Sequence, residues 1–125
     1  MLLSQTSPRI FLIPQFVKLS SYINTESTGD VKIGQVSEVQ GKHVLVVEDM
    51  YDTGKSMLKL LQRLKELGAS KVEACIAFHK KTHKNVELGY FADYIGFFIP
   101  DEFVIGYGLD YNEYFRDVTH LCVLN

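Results

Sequence analysis

The sequence predicts an α/β fold in which a mostly parallel sheet carries a flanking helix and short C-terminal strands. Four apolar residues at 44–47, three of them β-branched, predict a buried strand at 43–47, and an amphipathic pattern at 55–67 predicts a helix. The next strand is predicted at 72–78, parallel to the first and reached by a right-handed crossover. In such a sheet we expect the functional site at the carboxyl ends of the strands.

Two segments before this unit are expected to be irregular or at a sheet edge. Residues 10–19 are apolar and predicted to be extended, with Pro14 placing them at an edge or ending them early. Residues 20–41 are polar and glycine-containing, and predict a long loop, which is unusual in a compact domain unless it is functional.

The remaining elements follow in order along the chain. One face of the predicted helix is expected to be buried, and Gly68 is expected to end it as a C-cap. Residues 80–90 predict a basic surface connection. Short strands are predicted at 94–98, 103–107 and 120–124. The buried face of the helix consists of Met57, Leu60, Leu61, Leu64 and Leu67.

Composition indicates one globular unit. A chain of 125 residues with 46% hydrophobic and 22% charged residues is expected to be a single domain. Its formal net charge of −2 gives no electrostatic case for a nucleic-acid or membrane partner. Cys75 and Cys122 fall in predicted strands and are expected to be reduced core thiols. The N-terminus lacks the features of a signal peptide, and the histidines lack metal-ligand spacing.

The most informative segment is the one where the first predicted strand meets the helix. A strand, a short polar loop and a helix N-terminus form an anion site, because unpaired N–H groups point outward there. Carboxylates beside such a site would repel a bare phosphate, but they can accept hydrogen bonds from a sugar or hold a cation. The segment therefore predicts a phosphoribose pocket. Its residues are Glu48, Asp49, Met50, Tyr51, Asp52, Thr53, Gly54, Lys55 and Ser56.

Two other interpretations of this segment are possible. A P-loop needs glycine five residues before Gly54, and that position holds Asp49, so the loop cannot wrap a polyphosphate closely. The second is a plain strand–turn–helix in which Asp52 and Thr53 only cap the helix. Two acids at the strand end plus Asp52 are more charge than a cap requires.

Residues 44–56 resemble the phosphoribosyl-diphosphate signature of type I phosphoribosyltransferases, with Tyr51 where an aliphatic residue is usual. Residues 96–117 are very similar to the C-terminal part of hypoxanthine-guanine phosphoribosyltransferases. Ser21 and Tyr22, with 27–30, resemble that family's mobile active-site loop. The resemblance begins near Phe16, so residues 1–14 are divergent.

This resemblance implies a purine-salvage enzyme in the cytoplasm, acting as a homo-oligomer. It would transfer phosphoribose from 5-phosphoribosyl 1-diphosphate to hypoxanthine or guanine, giving IMP or GMP with Mg²⁺ as cofactor. Family members also carry an N-terminal part with a Leu-Lys-Gly-Gly loop, which nothing here matches. The sequence is therefore expected to be part of a phosphoribosyltransferase-type sheet. The alternative is a catalytically weak or inactive truncated paralogue that binds nucleotide or associates with a full-length partner.

The resemblance also assigns roles to residues around the purine. Asp52 would accept the proton of purine N7, or act mainly by electrostatic stabilisation. Lys80 would donate to the 6-oxygen; its plain alternative is a solvated lysine. Phe103 would stack on the base, with main-chain groups of Glu102 and Val104 at the base edge; its alternative is a core aromatic.

Four further residues receive roles from the same resemblance. Asp110 would bind Mg²⁺ and Arg116 the diphosphate, chemistry that suits a carboxylate and a guanidinium. Their alternative is a structural ion pair among Asp110, Arg116 and Asp117. Ser21 and Tyr22 would belong to a loop that shields the reacting centre from water, or to an ordinary polar loop.

Overall fold

The computed structural model describes residues 12–21 and 31–124 of the chain. The chain divides into two units, Met1–Glu38 and Val39–Asn125. A single partial domain over residues 1–125, with a divergent segment at 1–14, stays a prediction.

The first unit contains a small antiparallel hairpin. Strand β1 (Leu19–Ser21) pairs with β2 (Val31–Ile33). The prediction of a loop throughout 20–41 is therefore wrong at these strands, which are short and partly polar and give no clear periodicity in the sequence. Residues 12–18 of the predicted extended segment form no strand, and Pro14 offers no N–H there for a ladder bond.

The second unit is built on a parallel three-stranded sheet, as predicted. Its strands are β3 (His43–Tyr51), β4 (Lys71–Lys80) and β5 (Tyr94–Ile99), in the order β3-β4-β5. The register pairs Val46 with Ala74 and Ile76 with Ile95. Both β3 and β4 continue beyond their predicted ends, so the carboxylates predicted to follow the first strand lie within it.

Helix α1 (Lys55–Glu66) connects β3 to β4 and packs on this sheet. Its buried residues are Met57, Leu60, Leu61 and Leu64, in agreement with the predicted face, whereas Leu67 is only half-buried. Met57 and Leu61 join a core cluster with Ala74 and Ile76, two side chains that are fully buried. This packing removes apolar surface from water and fixes the helix N-terminus at the end of β3.

Gly68 terminates helix α1, as predicted. The Gly68 N–H donates to the Lys65 carbonyl, and the Ala69 N–H donates to the Leu64 carbonyl. Gly68 has φ +84°, the left-handed conformation that glycine adopts without a Cβ penalty. These two bonds form a Schellman motif, which satisfies the last carbonyls of the helix.

The connection at 80–90 contains a short helix that the sequence analysis did not predict. Helix α2 (His83–Glu87) begins after Thr82, whose side chain accepts a hydrogen bond from the Asn85 N–H at 3.0 Å. The Asn85 side chain accepts in return from the Thr82 N–H at 3.3 Å. This reciprocal capping box holds a helix too short to show an amphipathic pattern.

The C-terminal segment closes on itself by antiparallel pairing. Strand β6 (Val104–Ile105) pairs with β7 (Cys122–Val123), so both predicted strands exist but are shorter than expected. Cys75 in β4 and Cys122 in β7 are free thiols. The pairing sets Phe103 directly before β6, after the loop that follows β5.

Replacing the fully buried Ile76 with alanine tests the core. Loss of its transfer free energy and the remaining cavity are expected to lower the free energy of unfolding by about 2–5 kcal/mol. Val47→Ala is the matched control, because Val47 is a β-branched strand residue that is 71% exposed, and it should cost under about 1 kcal/mol. Urea denaturation measures both, and equal losses would contradict the assigned core.

Candidate functional site

A cavity of about 460 Å³ lies at the carboxyl ends of β3 and β4. It is the position expected for a site in a parallel sheet. Five of the predicted site residues line it, together with four residues that the sequence analysis did not select. The predicted ones are Asp52, Thr53, Lys80, Glu102 and Phe103, and the others are Thr82, His83, Lys84 and Asp101.

Lys80 and Asp52 face each other at this cavity. The Lys80 ammonium lies 3.6 Å from an Asp52 carboxylate oxygen, and the two side chains are 8% and 54% exposed. A buried ammonium is costly unless an opposite charge or hydrogen bonds compensate it. Lys80 is therefore not a solvated surface lysine but a cation that the fold holds against Asp52.

Asn85 of α2 connects the chain segments that carry this pair. Its side-chain amide donates to the Asp52 carbonyl at 2.8 Å and to the Lys80 carbonyl at 2.5 Å. The side chain is buried, and no role was predicted for it from the sequence. The pattern of Thr82 followed by Asn85 three residues later is the signal that could have revealed the capped turn.

No side chain caps the N-terminus of α1, which follows the loop after β3. Gly54 is the N-cap residue, with φ +82°. A Cβ at this glycine would lie 2.2 Å from the Tyr51 hydroxyl oxygen, so only glycine fits. Asp52 and Thr53 are therefore not simple helix caps, and the first turn, which starts with Lys55 and Ser56, holds no acidic residue.

The acidic pair of this segment lies on β3 rather than after it. Glu48 is half-buried and Asp49 exposed, because successive strand residues alternate between faces. Burial raises the pKa of the Glu48 carboxyl above its ordinary value, and the neighbouring Asp49 carboxylate raises it further through repulsion and a hydrogen bond. The ionised form of Glu48 is therefore disfavoured unless a hydroxyl donor or a cation approaches it.

Tyr51 closes β3 as a core residue and does not line the cavity. Its ring stacks on His79 with centroids 4.6 Å apart. Within the described residues, the Tyr51 hydroxyl and His79 Nε2 are buried without a hydrogen-bond partner. Burial also raises the pKa of the Tyr51 hydroxyl. Met50, also predicted at the site, is half-buried on β3 and likewise does not line the cavity.

Phe103 stands at the rim of the cavity. It is 49% exposed and meets Tyr111 edge-on, with ring centroids 5.6 Å apart. A half-exposed ring beside a cavity can offer its free face to a flat ligand. Its neighbour Val104 is instead buried in β6 and presents no side chain to the cavity.

Asp110 and Arg116 form an ion pair, as the structural alternative expected for these two residues together with Asp117. Their closest nitrogen and oxygen are 2.9 Å apart. The second Asp110 oxygen accepts from the Glu113 N–H at 2.7 Å, and Arg116 also donates to the Gly108 carbonyl at 2.9 Å. Neither residue lines the cavity, and in this arrangement they brace the loop between β6 and β7.

The predicted mobile loop is only partly covered. Ser21 ends β1, where its backbone pairs with Val31, and Tyr22 lies outside the described residues. Across 12–21 and 31–124, no group of three or more acidic, histidine or cysteine residues is arranged to hold a metal ion. The same ranges contain no helix long and apolar enough to cross a membrane.

Replacing Glu48 with glutamine is expected to stabilise the fold at neutral pH. Because the folded-state pKa is raised above 4.5, the native protein holds more protons than the unfolded chain as this group titrates. Stability is therefore lost as pH rises from about 4.5 through the raised pKa. Glutamine removes this loss, so the gain over the wild type should grow from pH 4 to pH 7.

Urea denaturation at several pH values measures this difference. Glu87→Gln is the control, since Glu87 is exposed on α2. A Glu48→Gln variant whose stability relative to the wild type did not change with pH would contradict the raised pKa.

Comparisons with known proteins agree with the geometry. The phosphoribosyl transferase domain family matches residues 2–112. The hypoxanthine-guanine phosphoribosyltransferase of Mus spretus is 48% identical over 113 residues, which cover 88% of this chain and 52% of that protein. The chain thus spans about half the length of the curated relatives it matches.

Solved structures give the same result at the level of the fold. A hypoxanthine phosphoribosyltransferase from Staphylococcus aureus superposes with a TM-score of 0.76 at 35% identity, covering 88% of this chain and 60% of that one. A variant of the Trypanosoma cruzi hypoxanthine phosphoribosyltransferase, complexed with the product IMP, has a TM-score of 0.75 at 30% identity and covers 88% of this chain and 56% of that one.

Proposed function

The chain belongs to the phosphoribosyl transferase domain family, and we propose that it acts in purine salvage. It would transfer phosphoribose from 5-phosphoribosyl 1-diphosphate to N9 of hypoxanthine or guanine, giving IMP or GMP and releasing diphosphate. The observation that carries this proposal is the pairing of Lys80 with Asp52 in a cavity rimmed by Phe103. These three groups supply a donor, a base and a stacking surface for a purine.

The 5′-phosphate would bind at the loop of residues 52–56. The N-terminus of α1 directs unpaired N–H groups and the positive end of its dipole outward, and no acidic side chain opposes them in the first turn. Thr53 lines the cavity, so its hydroxyl is available to a ligand. Lys55 and Ser56, at the start of α1, would add a charge and a hydroxyl to the same phosphate.

The ribose hydroxyls would be bound by Glu48 and Asp49. The raised pKa of Glu48 marks a carboxylate with too few compensating partners in the free protein. Two hydroxyl donors would stabilise its ionised form, and binding would then lower this pKa. The backbone of Met50 and Tyr51, at the end of β3, would form the rest of the ribose site.

The purine would lie between Phe103 and the Lys80–Asp52 pair. The Lys80 ammonium would donate to a 6-oxygen, whereas the 6-amino group of adenine would be repelled. Main-chain groups of Glu102 and Val104 would meet the opposite edge of the base. Stacking on Phe103 would contribute roughly 1–3 kcal/mol whichever purine is bound.

Asp52 would serve the transfer step itself. At the base side of the cavity, its carboxylate would accept the proton from purine N7, leaving N9 as the nucleophile that forms the new glycosidic bond. The bond from C1 of the ribose to the diphosphate oxygen would break, and the electron pair would leave with diphosphate. The same negative charge would stabilise the cationic ribose in the transition state.

The described arrangement engages Asp110 within the chain, so we propose other residues for the metal that the resemblance assigned to it. Both Asp110 oxygens accept bonds from the chain itself, and Arg116 is engaged with Asp110 instead of a free anion. The adjacent acids Glu48 and Asp49 fit Mg²⁺ better, because a divalent cation would relieve their repulsion. When bound, Mg²⁺ would neutralise charge on the substrate's diphosphate and ribose oxygens.

Three further assignments also belong to this proposal. Ser21 and Tyr22 would close over the reacting centre and exclude water. A homo-oligomer is supported by the exposed apolar residues Leu45 and Val47 of β3, at 51% and 71% exposure. A cytoplasmic location rests on the family alone.

Ligand binding by the purified chain tests the proposal. GMP and IMP are expected to bind several-fold more tightly than 5-phosphoribosyl 1-diphosphate, because Arg116, proposed for the diphosphate, is already bonded to Asp110. Calorimetry with Mg²⁺ measures the three affinities, and GMP formation from guanine and the diphosphate donor measures transfer.

Each outcome of this experiment has a distinct meaning. GMP formation would support the enzyme, and nucleotide binding without any transfer would favour the non-catalytic alternative. Failure to bind either nucleotide would overturn the proposal. AMP is the control ligand, since it shares the phosphate and ribose but lacks the 6-oxygen.

Replacing Lys80 with glutamine tests the selectivity for 6-oxopurines. A charge-assisted hydrogen bond contributes about 1.5–3 kcal/mol, so GMP and IMP affinity should fall about tenfold or more. Binding of ribose 5-phosphate should change little, and AMP affinity should not fall, because neither presents a 6-oxygen and the 6-amino group of AMP is no longer repelled. Lys65→Gln, an exposed lysine in the last turn of α1, is the matched charge control. Equal losses for GMP and AMP would mean that Lys80 supplies only bulk charge.

A further inference from the structure

We propose that Asn85 is a positioning residue that keeps the Lys80 and Asp52 side chains at their observed separation. Asn85 does not line the cavity. It lies behind the cavity, in α2, and is 3% exposed. Its effect on nucleotide binding rests on the proposed function, whereas its effect on the Lys80–Asp52 geometry does not.

The ladder between β3 and β4 stops before the pair, although Lys80 itself pairs with Ile99 of β5. The last register pair between β3 and β4 is Tyr51 with His79. The next residues, Asp52 and Lys80, are the ones that carry the functional side chains, and they lie beyond this ladder. A further link between the two chain segments is needed to fix their separation.

Asn85 provides that link with both of its side-chain donors. A side-chain amide has two N–H donors, and Asn85 uses them on the Asp52 carbonyl and the Lys80 carbonyl, at 2.8 and 2.5 Å. Its oxygen accepts from the Thr82 N–H at 3.3 Å. One planar amide therefore joins the end of β3, the end of β4 and the start of α2.

These bonds restrain the backbone that carries the two charges. A hydrogen bond to a carbonyl restrains the peptide plane, and the plane restrains the position of the adjoining Cα atom. The Lys80 carbonyl is further held by His79 Nδ1 at 3.0 Å. Without the Asn85 amide, Asp52 would lose its tie to β4, and the 3.6 Å separation of the two charges would no longer be enforced.

The test is a double-mutant cycle between position 85 and Lys80, read as GMP affinity by calorimetry. In the wild type, Lys80→Gln should lower GMP affinity about tenfold or more, as a charge-assisted bond to the 6-oxygen requires. In the Asn85→Ala background the same change should cost less than about threefold, because the ammonium is no longer aimed at the ligand. Additive losses in the cycle would overturn the proposal.

Val86→Gly separates positioning from simple loss of stability. Val86 is the neighbouring residue of α2 and is 61% exposed, and glycine weakens this helix without removing the Asn85 side chain. This variant should lower the melting temperature yet keep the full effect of Lys80→Gln. If Val86→Gly abolished that effect as Asn85→Ala does, Asn85 would act only through helix stability.

A second variant and a ligand-free measurement complete the design. Asn85→Asp keeps the oxygen that caps α2 but loses both donors. The double-mutant cycle with Lys80→Gln is therefore measured with this variant if Asn85→Ala does not fold. Nuclear Overhauser contacts between the Lys80 ε-methylene and Asp52 β-methylene protons should be present in the wild type and Val86→Gly, and absent in both Asn85 variants. Contacts that persist in the Asn85 variants would overturn the proposal.

The two kinds of failure can be told apart. A wild type that does not bind GMP would count against the proposed function, and the ligand-free contacts would still decide the role of Asn85. Normal GMP binding with additive losses would count against Asn85 alone.

Discussion

The parallel register of β3 and β4 under α1 is the constraint on which the site depends. Because both strands run in the same direction, their last residues arrive at the same edge, with Tyr51 paired to His79. The stacked rings of these two residues close the ladder inside the core. Asp52 and Lys80 are the next residues of the two segments, so the sheet brings both side chains to the same edge. A slip of one residue in this register would send one of the two side chains to the other face.

The same edge concentrates interactions that do not favour the folded state. The Lys80 ammonium is almost fully buried, and the Tyr51 hydroxyl and His79 Nε2 have no hydrogen-bond partner within the described residues. Burial of Glu48 and repulsion from Asp49 both raise the pKa of the Glu48 carboxyl and so disfavour its ionised form. The apolar cluster beneath, centred on Ala74 and Ile76, offsets these costs. Polar groups held without full compensation are typical of functional sites, since a ligand can supply what the protein lacks.

Sequence reasoning succeeded where the pattern was long and one-sided. Periodic leucines predicted α1, and mostly apolar segments predicted β3 and β4, because burial of an apolar face leaves little freedom. It failed for α2, whose five residues are held by the Thr82–Asn85 capping box and carry no periodic signal. The β1–β2 hairpin was missed for a similar reason, as three-residue strands have too few side chains to alternate. Lys80 could be selected by resemblance, but its burial against Asp52 depends on contacts distant in sequence.

The Asp110–Arg116 pair sets a condition on how the site could be completed. The loop that these residues brace contains Tyr107, Asn112, Glu113 and Phe115 with positive φ, a conformation that non-glycine residues adopt only when their surroundings impose it. Arg116 helps to impose it through the Gly108 carbonyl and the Asp110 carboxylate. An anion that pulled Arg116 out of this arrangement would have to replace both bonds. Binding of a diphosphate in that way would be coupled to a rearrangement of this loop, while a ligand confined to the cavity at β3 and β4 would leave the loop undisturbed.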